Sequence, residues 1–185
     1  MESKVYYYLS RDTKCPVRGT DQAAGIDFFM PNYNEQFEQD LRAKNVNANL
    51  EYEHIANPED GTPQLRVIIP PHERINIPSG VHTYMVPKES ALIAANKSGV
   101  STKKGLVFTC QVIDSDYTGE IHLGMVNTSN EAVSIVTGEK LVQFIHTPVY
   151  FSGLEALVSR RVFDEMHTGS QRGDGAFGST DKNKA

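Results

Sequence analysis

An all-β fold, a sandwich or a barrel, is what this sequence predicts, and three observations carry the prediction. Short runs of β-branched and aromatic residues recur between Gly, Pro, Asn and Asp, the punctuation expected of many short strands. No long segment keeps an apolar stripe at helical spacing, so closely spaced strands must bury a shared face. With 185 residues, 39% apolar and 22% charged, the chain suits one globular domain with a proper core.

In chain order the candidate strands begin with "KVYYYL" at 4–9, "GIDFFM" at 25–30, "LRVIIP" at 65–70, "RINIPSGVHTYMV" at 74–86 and "SALIAAN" at 90–96. They continue with "GLVFTCQVI" at 105–113, "GEIHLGMVN" at 119–127, "AVSIVT" at 132–137 and "KLVQFIHTPVY" at 140–150. Two stretches break the rhythm. Residues 32–64 are polar and Asn-rich, with Phe37 and Leu41 at helical spacing, and read as an inserted surface excursion containing one short helix. In residues 152–171, Leu154, Leu157, Val158 and Val162 fall three and four apart, compatible with a short helix or an irregular strap. The domain is therefore drawn at 1–168, with a glycine-rich tail at 169–185. By composition alone that tail is solvated and flexible, because it has too little apolar area to offset the entropy of ordering.

The charge balance narrows the partners. The formal net charge is -5 and the 18 Lys and Arg residues are scattered, which excludes a basic stripe for duplex nucleic acid. Cys15 and Cys110 form no CxxC pair, so neither a disulfide framework nor a zinc knuckle is expected. The beginning "MESKVYYYLSRDTKCP" has no leader pattern and about 18 consecutive apolar residues occur nowhere, so a cytoplasmic protein without a membrane partner is expected. The six histidines form no HExxH or i, i+4 pair, which gives protein-ligated zinc little support. Nor is there a GxSxG elbow for nucleophilic catalysis.

Four segments have the residue types for chemistry. "QVIDSDYTGEI" at 111–121 reads as a hairpin with an acidic tip; Asp, Ser and Gly favour turns for backbone reasons alone. Asp114, however, follows Val112 and Ile113 at the strand end, where partial burial could aim its carboxylate at a water as general base. "NKSGVSTKKG" at 96–105 is a small turn that either is merely basic or offers backbone N–H groups, the Ser98 hydroxyl and the Lys97 ammonium to a phosphate. In "TGEKLVQFIHTP" Leu141, Gln143 and Ile145 share one strand face, and a buried Gln there needs a structural or a ligand partner. Asp27, inside "AAGIDFF", either pairs with a buried Arg or Lys or serves a ligand or metal shell.

Taken in order, these segments resemble the five motifs of the trimeric dUTP diphosphatase (dUTPase) family. "AGID" at 24–27 resembles the first, "KSGV" at 97–100 the second, "VIDSDYTGEI" at 112–121 the third, "GEKLVQFI" at 138–145 the fourth and "RGDGAFGST" at 172–180 the fifth. The resemblance implies a jelly-roll-like β-clip subunit in a homotrimer whose active sites are shared between subunits. It also implies hydrolysis of dUTP to dUMP and pyrophosphate with Mg²⁺. Asp114 would activate the attacking water, Tyr117 would lie against the deoxyribose, and the backbone around Gln111 and Ile113 would read the pyrimidine edge. Lys97, Ser98, Gly99 and Gln143 would contact the phosphates, and Asp27 would act in the outer shell of the metal through water. The tail would close as a lid, with Arg172 reaching the phosphates, Phe177 stacking on the base, and Gly178, Ser179 and Thr180 presenting donors.

Several positions depart from the family pattern. Asn96 and Lys97 stand where Pro-Arg is usual, Gln111 replaces a glycine, and Ala176 and Asp181 replace glycines of the fifth motif. Lysine keeps the charge of arginine but loses its bidentate fork. Two alternatives are weighed beside the hydrolase. A related dCTP deaminase, or a bifunctional deaminase, is disfavoured by "IDSDYTGE" together with "GAFGST". A regulatory binding protein on the same fold, with 32–64 as its protein-partner surface, is disfavoured by the full catalytic set.

Overall fold

The computed structural model describes residues 2–109 and 112–170. Its strands are β1 (Lys4–Leu9), β2 (Val17–Arg18), β3 (Gly25–Phe29), β4 (Glu51–Ala56), β5 (Pro63–Ile69), β6 (Arg74–Pro78), β7 (Val81–Val86) and β8 (Ser90–Ala95). They continue as β9 (Leu106–Phe108), β10 (Val112–Asp114), β11 (His122–Asn127), β12 (Val133–Val136) and β13 (Lys140–Pro148). Three short helices, α1 (Glu35–Lys44), α2 (Ser98–Lys104) and α3 (Arg160–Met166), complete the described residues.

The strands form four antiparallel sheets that pack as a jelly-roll-like sandwich and not as a closed barrel. A five-stranded sheet runs β10-β8-β13-β3-β2, three-stranded sheets run β6-β11-β9 and β12-β5-β4, and β1 pairs with β7. Alternation explains the burial. In β5, Leu65, Val67 and Ile69 are fully buried while Gln64, Arg66 and Ile68 lie nearer solvent, the period-two pattern of a strand with one core face. At the centre Phe28 and Phe108 both meet Phe144 edge-on, with ring centroids 4.7 and 5.7 Å apart, the geometry aromatic quadrupoles favour.

Where the sequence suggests one strand at 74–86, the chain makes two. Gly80 takes φ +75, a left-handed conformation that costs glycine nothing. Before that turn β6 pairs with β11, whereas after it β7 pairs with β1. The run at 105–113 likewise divides into β9 and β10, which belong to different sheets. In β13 a bulge between Lys140 and Val142 turns Leu141 and Val142 both inward, so strict alternation holds only from Val142 onward.

The excursion at 32–64 is more structured than its polarity suggests. Asn34 caps α1 by accepting from the Phe37 amide at 2.8 Å, with acids in the first turn and bases in the last, as the helix dipole favours. Phe37 and Leu41 are buried, and Asn45 ties the helix end to β6 by accepting from the Asn76 amide and donating to the Asn76 carbonyl. The excursion then supplies β4 as an edge strand beside β5.

The chain falls into two compact units that divide between Tyr150 and Phe151. In the second, Ser159 caps α3 and Val162 alone of the four spaced apolar residues enters that helix, the stretch before it being irregular. Among the described residues no helix is long and apolar enough to cross a membrane.

Because Phe37 is 1% exposed, Phe37→Ala should lower the unfolding free energy by about 3–5 kcal/mol in urea titration. A change below about 0.5 kcal/mol would make the excursion a loose surface loop.

Candidate active site

Three of the predicted motifs meet at one end of the five-stranded sheet. Central strand β13 sets Gln143 opposite Asp27 of β3 and opposite Ala95 of β8. Lys97 follows two residues after Ala95, and its ammonium bonds Asp27 Oδ1. Lys140 reaches Asp27 Oδ2 at 2.9 Å. Asp27 is 4% exposed, and burial alone would raise its carboxyl. The hydrogen bonds and charges of Lys97 and Lys140 outweigh that effect and hold it below its ordinary value of 3.8. Asp27 is thus paired with two lysines, of which Lys97 is the nearer.

Gln143 finds a structural partner, donating from Nε2 to the Asn96 carbonyl at 3.1 Å. Its side chain crosses directly over Gly25, where an added Cβ would come within 2.2 Å of Oε1. Only glycine leaves that passage open. Where a small turn is expected at 96–105, the chain forms the short helix α2, with Lys97 at its N-cap. Ser98 and Gly99 are exposed, and nothing lies within 4 Å of where a Gly99 Cβ would be. Their amides open the helix, where no intrahelical acceptor exists.

The acidic hairpin lies elsewhere. β10 pairs with β8 so that Asp114 stands opposite Ala91, at the strand end as expected, but its side chain is exposed and not partly buried. Ile113 is buried beneath it. A cavity of about 210 Å³ opens between Val112, Ile113, Asp114, Tyr117 and His122. Tyr117 folds back over its own turn: Oη donates to the Glu120 carbonyl at 2.9 Å, and a Cβ on Gly119 would meet Oη at 2.4 Å. The ring is held by a residue with no side chain.

Ala91 and Ala95 are four residues apart on β8, about 13 Å at roughly 3.3 Å per residue. Within one chain Asp114 therefore does not reach Lys97, Ser98 or Gln143. Gln111, Arg172, Phe177, Gly178, Ser179 and Thr180 lie outside the described residues. Lys140 was not singled out by sequence reasoning, although it lies within the fourth motif and begins β13. It lies diagonally across from Asp27 through its partner Phe29, a neighbour relation that becomes visible only with the strand register.

The dUTPase family model matches residues 63–181. The deoxyuridine 5'-triphosphate nucleotidohydrolase of Neisseria meningitidis serogroup B is 32% identical over 116 residues, 62% of this chain and 73% of that protein. A Staphylococcus bacteriophage 80alpha dUTPase, solved with dUpNHpp, superposes with a TM-score of 0.66 at 19% identity over 96% of this chain and 98% of its own. The dUTPase of phage phi11 of S. aureus, whose structure describes a structural Mg(II) ion, gives 0.59 at 17% identity over 85% of this chain and 99% of its own.

The pairing of Asp27 has a pH signature. Since its carboxyl titrates lower in the folded chain, its stabilising contribution is present above about 3.8 and lost as the pH falls through the folded value. Asp27→Asn should lower the urea midpoint at pH 7, and the gap from the parent protein should narrow below about pH 4. A gap independent of pH would leave the two lysines without charge stabilisation at this site.

Proposed function

This chain belongs to the dUTPase family, and from that premise we propose that it hydrolyses dUTP to dUMP and pyrophosphate, by water attack on the α-phosphorus. The observation that carries the reading is the division of labour along β8. At one end the acid hairpin borders a recess of about 210 Å³, and at the other are the exposed Ser98 and Gly99, the two lysines on Asp27, and Gln143. A deoxynucleoside triphosphate needs both kinds of surface.

In the proposed step the Asp114 carboxylate takes a proton from water as the water oxygen forms a bond to the α-phosphorus. The bond from that phosphorus to the oxygen bridging to the β-phosphate breaks in line, and pyrophosphate departs with the electron pair. No covalent enzyme intermediate is required. Tyr117, held over Gly119, would close the space that a 2′-hydroxyl needs, and the backbone near Ile113 would meet the pyrimidine edge. Ser98, Gly99 and Gln143 would donate to the phosphate oxygens.

Asp27 fits an indirect metal role. Both its oxygens already hold ammonium groups, which leaves hard-oxygen lone pairs that can meet a cation through its water shell. Mg²⁺ bound with the triphosphate would neutralise charge on the phosphate oxygens.

The separation of Asp114 from Lys97 and Gln143 supports sites completed between copies, as a homotrimer provides. A second observation agrees with assembly: Tyr150, Phe151, Leu154 and Val158 are 95, 72, 100 and 92% exposed, an apolar stretch of the kind that oligomers cover. A cytoplasmic location suits an enzyme of nucleotide metabolism.

Pyrophosphate release should be rapid from dUTP with Mg²⁺ and slow from dCTP, dTTP and UTP; no release from dUTP would end this reading. Asp114→Asn should keep nucleotide binding and lower turnover by a factor of about 10² to 10⁴. If sites are shared, mixing Asp114→Asn with Gln143→Ala and refolding them together should restore part of the activity that each lacks alone. Mixtures as inactive as their components would place the whole site within one chain.

A further inference from the structure

Arg11 lies in the loop between β1 and β2, outside every motif, and its side chain is 17% exposed. Its guanidinium joins two parts of the fold that are far apart in sequence. Nη1 donates to Asp40 Oδ2 on α1 at 2.6 Å. Nε and Nη2 donate to the two carboxylate oxygens of Glu120 at 2.7 and 3.2 Å. Such a fork fixes direction as well as distance. Gln36 steadies the far side by donating to Asp40 Oδ1 at 3.0 Å, and the Arg11 stem packs so closely on Gly80 that a Cβ there would come within 2.7 Å of it.

Glu120 is the residue that seats the hairpin. Its carboxylate also accepts from the Gly80 amide at 2.6 Å, and its side chain is 16% exposed. Its main-chain carbonyl accepts from Tyr117 Oη and lies 3.0 Å from His122 Nδ1. Both side chains line the recess beside Asp114. An unbroken series of contacts thus runs from α1 in the excursion through Arg11 to the carbonyl on which Tyr117 hangs.

We propose that Arg11 is a positioning residue for sugar selection, clamping the excursion's helix to the hairpin so that Tyr117 stays over Gly119. The proposal rests on the reading of Tyr117 as the group against the deoxyribose. Without the guanidinium, Glu120 is a largely buried carboxylate with one amide partner, and moving it toward water carries its carbonyl, and Tyr117, with it. The excursion then takes part in telling deoxyribose from ribose through the Arg11 fork.

The test uses the full chain with Arg11→Met, which keeps the stem and deletes the fork, together with Asp40→Asn and the double variant. For each, kcat and KM are measured with dUTP and with UTP beside the urea midpoint. Arg11→Met should raise the KM for dUTP and reduce the dUTP/UTP ratio of kcat/KM by about tenfold, with kcat for dUTP little changed. Asp40→Asn should reduce the ratio by less, and the double variant no further than Arg11→Met alone. A ratio that stays at the parent value in folded Arg11→Met or Asp40→Asn, whatever the midpoint does, overturns the clamp. Should Arg11→Met fail to fold, Asp40→Asn and Glu120→Gln decide the matter by the same ratio. Tyr117→Ala separates the premise from the inference. If it lowers the ratio while the clamp variants do not, only the clamp is lost; if it leaves the ratio intact, the role of Tyr117 falls and the clamp's purpose with it.

Discussion

The register of β13 between β3 and β8 is the constraint on which the proposed phosphate end depends. Gln143 stands at once opposite Asp27 and opposite Ala95, so one residue of this strand sets the relation between the buried acid, the amide and the loop that begins at Asn96. A slip of one position would invert every side chain on the strand. Phe144 guards against this because it is fully buried against Phe28 and Phe108. Moving Phe144 to the opposite face would leave a cavity at the centre of the core. Gln143 on one face of β13 is thereby held in place by packing on the other.

Cationic and acidic features are kept at opposite ends of β8 by the same sheet. Two ammonium groups on one buried carboxylate leave net positive charge beside Ser98 and Gly99, while Asp114 and Asp116 occupy the exposed hairpin. Within one chain, therefore, Lys97 and Lys140 pair with Asp27 and not with the hairpin acids.

Most strand positions were legible because β-branched runs and turn residues alternate so regularly, and the short helix α1 was legible in the helical spacing of Phe37 and Leu41. Asp27 was legible as a residue in need of a partner, but the partner's identity required the pairing of three strands. β4 was hidden: "EYEHIA" offers only Tyr52 and Ile55 as half-buried apolar positions, three apart, because an edge strand packs one side weakly. The bulge before Val142 left no mark in composition. Arg11 was hidden most completely, since a single arginine in a loop has no periodicity, and its meaning comes only from Asp40 and Glu120, 29 and 109 residues away.

The position of β4 bears on how the protein stays in solution. In the β12-β5-β4 sheet it covers the flank of β5, whose Leu65, Val67 and Ile69 are fully buried. Bare, so apolar a strand would offer its unpaired amides and carbonyls to any other extended chain. β4 instead turns Glu51 and Glu53 outward, and like charges meeting like charges discourage edge-to-edge growth. The excursion is therefore a seal as well as an ornament, and a relative that lost it would need a different β5 to remain soluble.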